Sequence, residues 1–328
     1  MSTYNKFSTR TRPMETIGNA GNVRRRIAAI GMFDGVHVGH SFLIDFLKGE
    51  AEARNLSPAV VTFYEHPLSI VRPAETPKRL STPQERAQLL GIAGIGDVIM
   101  LHFDEALRSM TARQFMELMH DRYGIDALVM GFNNRFGHDR LQTMDQYRET
   151  GRQTGIEVIE APEYEGPHAP VSSSIIRSLI GDGRMAEASA KLGRPYLLTG
   201  PVVTGNQIGR KLGFPTANID IDGSLTQLPR EGVYAALATT PDGATHRAML
   251  NIGHRPTINS DAPTRLSVEA HLHDYSGNLY GSTISVEPLE MIRHECRFPT
   301  LEKLKSQLAI DARATKAIAS ARLASAKR

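Results

Sequence analysis

Between about residues 25 and 180, short apolar runs alternate with stretches in which apolar positions recur every three or four residues. The runs at 27–30, 59–63, 98–103, 127–130 and 156–159 read as strands, and those around 41–47 (Phe42, Leu43, Phe46 and Leu47 on one stripe), 83–93 and 112–123 as amphipathic helices. Alternation of this kind predicts an α/β domain, a doubly wound and mostly parallel sheet covered by helices on both faces. Its ligands belong at the carboxyl ends of the strands. Past Gly193 the period changes to two. Segments at 196–203, 232–239, 247–252, 266–275 and 282–291 alternate apolar and polar residues between Gly, Asp and Pro turns, which predicts a small antiparallel β-barrel of five strands. The expected domains are 1–185 and 186–328. Thr300 is placed to cap a final helix carrying the stripe Leu301, Leu304 and Leu308.

Composition narrows the class. Hydrophobic residues are 41% of the 328 and charged residues 22%, enough apolar material for one large or two ordinary cores and too much for a disordered chain. No run approaches the roughly 18 apolar residues of a membrane span, and residues 1–13 are polar and basic, so neither a membrane partner nor a secretory leader is expected. Cys296 is the single cysteine, which rules out an intramolecular disulfide or thiolate metal cluster and fits a reducing cytoplasm. The net charge of +3 is partly concentrated at Arg24, Arg25 and Arg26 and in the tail 312–328. Without interleaved aromatic residues these clusters read as solvated surface, not as a nucleic-acid site. The sequence is silent on oligomeric state.

The stretch GMFDGVHVGH at 31–40 lies between the first strand and the first helix. Its glycines allow close backbone approach to a ligand, and the helix N-terminus offers unpaired N–H groups to an anion. His37 and His40 can face one side, where two imidazoles suit stabilisation of phosphate charge during nucleotidyl transfer. A plain βα turn with two surface histidines is the bland reading; the flanking strand and helix, with Phe33-Asp34-Gly35 upstream, weigh against it. The stretch resembles the signature GNFDGVHxGH of bacterial bifunctional riboflavin kinase/FAD synthetases, with Met32 in place of Asn. That resemblance implies nucleotide contacts at Gly31, Phe33, Asp34 and Gly35 and catalytic roles for His37 and His40.

Three further segments carry the resemblance through the first domain. TFYEHP at 62–67 is similar to the family's TFxPHP turn, Tyr64-Glu65 replacing Glu-Pro, and implies contacts at His66 and Pro67. GFNNRFG at 131–137 is similar to GENFRFG, in which an Asn, here Asn133, helps hold the flavin; Phe132 and Asn134 depart from it. The serines of PVSSSIIR at 170–177 form first of all a helix N-cap. The same helix end can hold phosphates, and Arg177, a turn further on, can clamp them. The segment resembles ISSTRIR with Ser174 and Ile175 in place of Thr-Arg, and implies phosphate contacts at Ser173 and Arg177.

In the second domain, GNQIGRKLGFPTAN at 205–218 combines loop-forming glycines with the charges of Arg210 and Lys211, and Pro215 fixes the backbone ahead of Thr216 and Asn218. The hydroxyl and amide oxygens of those two are hard donors suited to Mg²⁺. The stretch matches the riboflavin kinase signature GRxLGFPTAN at every fixed position, which implies cofactor contacts at Gly209, Arg210, Gly213 and Pro215. NIGHRPT at 251–257 resembles NIGxRPT. VEAHLHDY at 268–275 resembles VEVHxLDF, in which the Glu, here Glu269, activates the riboflavin 5′-hydroxyl. Glu269, His271 and His273 also compose a possible iron triad, but residues four apart on a strand are separated by roughly 13 Å, so that reading fails.

The resemblance spans about residues 17–316. It implies phosphorylation of riboflavin to FMN by the second domain and adenylylation of FMN to FAD, with pyrophosphate released, by the first. ATP and Mg²⁺ serve both steps, and riboflavin, FMN and ATP are the small-molecule partners. Three alternatives stay open: a riboflavin kinase with a weakened first domain, another HxGH nucleotidyltransferase such as one acting on pantetheine phosphate, and a non-catalytic flavin- or RNA-binding regulator.

Overall fold

A computed structural model describes residues 25–131, 134–139, 141–205, 208–254 and 266–325. Asn133 and residues 255–257 of the NIGHRPT segment lie outside them. The chain forms two compact units, one ending at Ser173 and the other running from Ser174 to Arg328.

The first unit runs β1 (Arg26–Ile30), α1 (Val38–Ala53), β2 (Ser57–Phe63), α2 (Leu68–Val71), α3 (Pro83–Ile92), β3 (Asp97–Leu101), α4 (Glu105–Arg108), α5 (Ala112–Tyr123), β4 (Ile125–Met130), α6 (Met144–Thr154) and β5 (Glu157–Glu160). Its strands form one parallel sheet in the order β3-β2-β1-β4-β5. All of β1 is buried, as a central strand covered on both faces must be. Alternate residues feed two cores. Ala28, Ile30, Leu128 and Met130 meet Phe115, Met116 and Met119 of α5 and Tyr147 of α6; Ile27, Ala29, Val60 and Val129 meet Ile44 and Leu47 of α1 and Leu90 of α3. The strand order reverses between β1 and β4, so the ligand crevice of such a sheet opens beside the loops that follow those two strands. The pattern of apolar residues did not show α6, because that helix buries only Tyr147, Gly151 and Thr154.

The second unit continues with α7 (Ser173–Gly181), α8 (Met185–Leu192), β6 (Leu198–Val203), α9 (Ile208–Leu212), β7 (Ala217–Ile219), β8 (Gly232–Thr239), β9 (Thr245–His254), β10 (Leu266–Leu272), β11 (Thr283–Arg293) and α10 (Leu301–Ser325). Its strands close into an antiparallel barrel, β10-β7-β6-β11-β8-β9. The sixth strand, β7, corrects the expected five. It begins at the end of the glycine-rich segment at 205–218 and is too short to show a period, yet it pairs with both β6 and β10 and so completes the barrel.

The expected packing stripe of α10 is also corrected. Leu301 is 61% exposed, whereas Asp311, Thr315 and Ala319 are the buried positions. Arg293 at the end of β11 grips Asp311 at 2.7 Å, and the buried His273 meets Thr315 Oγ1 at 2.9 Å, so polar pairs seat this helix. Two basic residues of the tail are engaged as well, Lys316 with Asp274 and Arg322 with Glu287.

Candidate active sites

The turn between β1 and α1 is strained. Phe33 and Val36 take φ of 48° and 38°, and Gly35 takes 77°. For a β-branched residue such as Val36 this left-handed backbone costs on the order of 1–3 kcal/mol and persists only where the surroundings impose it. Here they do. Asp34, 2% exposed, accepts from Leu80 N–H at 3.0 Å and from Ser81 through both N–H (2.9 Å) and hydroxyl (3.0 Å). The Ser81 hydroxyl in turn accepts from Gly35 N–H at 2.9 Å, and Ser173 donates to the Asp34 carbonyl at 3.0 Å. Asp34, expected at the nucleotide, thus engages its carboxylate with the segment leading into α3.

His37 is the N-cap of α1; its Nδ1 accepts from His40 N–H at 3.2 Å. The two imidazoles stack with centroids 3.6 Å apart and planes at 13°, and Phe33 lies 4.9 Å from the His40 ring. Burial, then His37, then the Arg86 guanidinium push the His40 pKa well below the usual histidine range. His40 Nδ1 is buried with no hydrogen-bond partner among the described residues. The result is a stacked imidazole pair at a helix N-terminus, in which burial favours the neutral form of His40.

The neighbouring loops are pinned to this turn. Thr62 Oγ1 donates to the Met32 carbonyl at 3.0 Å, while Met32 itself packs on the core. Asn134 Nδ2 donates to the carbonyl of Ile30 at 2.6 Å, joining the loop after β4 to the end of β1. Tyr147 hydroxyl holds both the N–H and the carbonyl of Phe136. His66 Nδ1 accepts from Leu68 N–H at 3.2 Å, and Pro67 is the N-cap of α2. Tyr64 stacks on His102, which pairs with Glu65 at 2.9 Å. Arg177 lies one turn into α7 on the Ser174–Arg328 unit. Sequence reasoning missed Ser81 and Arg86. Thr82 and Glu85 form the capping box that starts α3, but no sequence pattern marks the residue before it or a buried arginine inside the helix.

In the barrel, the segment 205–218 folds back on itself. A Cβ on Gly205 would come within 2.3 Å of Asn218 Nδ2, and one on Gly209 within 2.3 Å of Phe214 O; Gly213, with φ of 88°, lies just beyond the end of α9. Arg210, Pro215 and Thr216 line a cavity of ≈ 560 Å³ together with Ala270, Tyr275 and Tyr280. Thr216 Oγ1 donates to Glu269 Oε2 at 3.3 Å. Glu269 stands opposite Asn218 on β7 and Asn251 on β9, so two carboxamides flank the carboxylate on one face. Its neighbours Val268, Ala270 and Leu272 are buried on the other face, at 2%, 0% and 5% exposure. His271 and His273 meet edge to face, ring centroids 5.2 Å apart, and take separate hydrogen-bond partners, the Pro215 carbonyl and Thr315, and no group of three His, Cys, Asp or Glu able to hold a metal occurs among the described residues.

Comparison with known proteins gives a family to each half of the chain. Residues 20–175 match the FAD synthetase family and residues 192–319 the riboflavin kinase family. The Escherichia coli (strain K12) bifunctional riboflavin kinase/FMN adenylyltransferase is 33% identical over 286 residues, 87% of this chain and 90% of that protein. The Bacillus subtilis protein of that name is 31% identical over 88% of this chain and 90% of its own length. A solved structure described as a macrolide-efflux protein from Streptococcus pneumoniae covers 90% of this chain and 95% of its own, with a TM-score of 0.77 and 30% identity. No helix among the described residues here is long and apolar enough to cross a membrane. The chain belongs to the bifunctional riboflavin kinase/FMN adenylyltransferase family.

Proposed function

We propose that the Ser174–Arg328 unit phosphorylates riboflavin to FMN and that the unit ending at Ser173 adenylylates FMN to FAD. One observation carries this division: the FAD synthetase match (20–175) contains His37 and His40, and the riboflavin kinase match (192–319) contains Thr216, Asn218 and Glu269. The intact stacking of the imidazole pair supports a working first unit over a chain that is only a kinase.

In the kinase step Glu269 accepts the proton of the riboflavin 5′-hydroxyl as the bond to phosphorus forms, an effect of typically 10²- to 10⁴-fold. Thr216 orients that carboxylate, and Arg210 meets the phosphates at the cavity edge. The donors available at 216 and 218 are few and hard, which fits Mg²⁺ held mostly by water and nucleotide oxygens; such an ion supplies charge neutralisation on the transferred group. In the adenylyl step His37 and His40 stabilise charge developing on the α-phosphate and pyrophosphate, and Gly31, Gly35 and the α1 N-terminus approach the nucleotide through backbone. A phosphate contact at Ser173 and flavin contacts at His66, Pro67 and Asn133 complete the reading of the unit ending at Ser173. Both steps are placed in the cytoplasm.

The test is product chromatography on the full chain given riboflavin or FMN with ATP and Mg²⁺. Glu269→Gln stops FMN formation while FAD still forms from supplied FMN. Retained FMN synthesis within a few-fold of the parent returns Glu269 to a surface residue and overturns the kinase assignment.

A further inference from the structure

Behind the histidine pair stands a buried cation that the reaction scheme above does not use. Arg86, on α3, is 2% exposed. Its Nη1 donates to Thr62 Oγ1 at 3.2 Å and to the Phe63 carbonyl at 2.6 Å, whereas its Nε is buried with no hydrogen-bond partner among the described residues. Interiors tolerate a guanidinium with so few partners poorly, so the position calls for a use of the charge.

Two connected tracks join Arg86 to the Met32–His40 turn. Along the first, Arg86 holds Thr62, and the Thr62 hydroxyl holds the Met32 carbonyl. Along the second, α3 is entered through Leu80 and Ser81, the residues that bind the Asp34 carboxylate and the Gly35 N–H. The charged and titratable groups that bear on His40 are His37 and Arg86; those that bear on Arg86 are Asp34 and Arg79. Arg86 is thus tied to the turn at Met32 through Thr62, the start of its helix is tied to Asp34 and Gly35, and its charge is felt at His40.

We propose that Arg86 is a positioning residue for adenylyl transfer, holding the turn at Met32 through Thr62 and setting a fixed positive charge behind the His37–His40 pair. The proposal rests on His37 and His40 being the site of that transfer. A buried positive charge disfavours protonation of a neighbouring imidazole. Any limb of the pH–rate profile governed by His40 therefore lies at lower pH with Arg86 present than without it.

The experiment measures FAD formation from supplied FMN against pH in the full chain, with FMN formation from riboflavin as the internal control. Arg86→Met should lower kcat at least about tenfold with KM for FMN nearly unchanged, and move the His40 limb up by roughly half a unit or more. Arg86→Lys keeps the charge and should leave the limb in place while kcat falls. A folded Arg86→Met with parental rate and limb overturns the proposal, and so does a loss of rate with an unmoved limb, which marks a merely structural arginine. Where Arg86→Met does not fold, Thr62→Val decides: it cuts the link to Met32 and should lower kcat for FAD without shifting the limb, and an unchanged kcat overturns the proposal. His40→Ala is run beside these variants. If His40→Ala leaves FAD formation intact, the reading of the site fails; if it is impaired and Arg86→Met is parental, only the role of Arg86 fails.

Discussion

Val36 holds a conformation that its side chain disfavours, and the residues that impose it lie elsewhere in the chain. Ser81 has the most direct hold, since its hydroxyl serves both Asp34 and Gly35. Ser81→Ala removes the hydroxyl that accepts from the Gly35 N–H and donates to the Asp34 carboxylate, a loss of about 1–3 kcal/mol. The expected outcome is a lower urea midpoint for the first unit and slower FAD formation at an unchanged rate of FMN formation. At the histidines the expectation is sharper: His37→Ala and His40→Ala should each slow FAD formation about a hundredfold, or roughly 3 kcal/mol, in product assays started from FMN. The two histidines were legible in the sequence because their spacing sits in a local strand–helix junction. Ser81 and Arg86 were not, since Ser81 meets Gly35 across 46 positions and Arg86 meets Thr62 across 24, and no local pattern encodes such contacts.

Among the elements, α10 departs furthest from its sequence pattern. Its leucines mimic an amphipathic stripe, but the groove it occupies offers Arg293 and His273, and a polar seat selects Asp311 and Thr315. Asp311→Ala strands the half-buried Arg293 guanidinium and should destabilise the second unit by about 3 kcal/mol. Leu301→Ala, at an exposed position, should fall within about 0.5 kcal/mol of the parent. Urea unfolding of the full chain separates these outcomes. The seat also responds to acid. Burial, then His271 and Lys316, hold the His273 pKa down to about 4. The unfolded chain binds this proton near the ordinary value of about 6.5, so the His273 contribution is complete above that pH. It is lost as pH falls toward about 4, with a slope of at most about 1.4 kcal/mol per pH unit. His273→Gln should flatten that slope in unfolding curves collected at several pH values. Elements with a clean period were read well, Ala112–Tyr123 and Gly232–Thr239 with their observed ends. The strand β7 and the helix α6 escaped because one is three residues long and the other buries little that is apolar.

For the molecule as a whole, the doubly wound unit and the barrel followed from the change in period near Gly193, since each period commits its segment to a different layer architecture. The packing adds where a cut should fall. The α8 residues Met185, Ala188 and Leu192 are buried, and Gly183 just before them lies against Tyr234 of β8. A fragment 174–328 should therefore fold and form FMN from riboflavin, whereas one beginning at 193 should melt markedly lower or be insoluble; thermal melts and FMN assays of both fragments check this.

Barrel closure also sets a timetable. The first strand of the barrel, β6, pairs with the last, β11, so the barrel cannot be completed until Arg293 has been synthesised. The first unit needs nothing beyond Ser173, whose hydroxyl donates to the Asp34 carbonyl. Domains fold in the order in which they leave the ribosome, and the FMN-consuming half of this enzyme is therefore finished while the FMN-producing half is still being translated. A message broken between those two points yields an adenylyltransferase that lives on FMN made by complete copies.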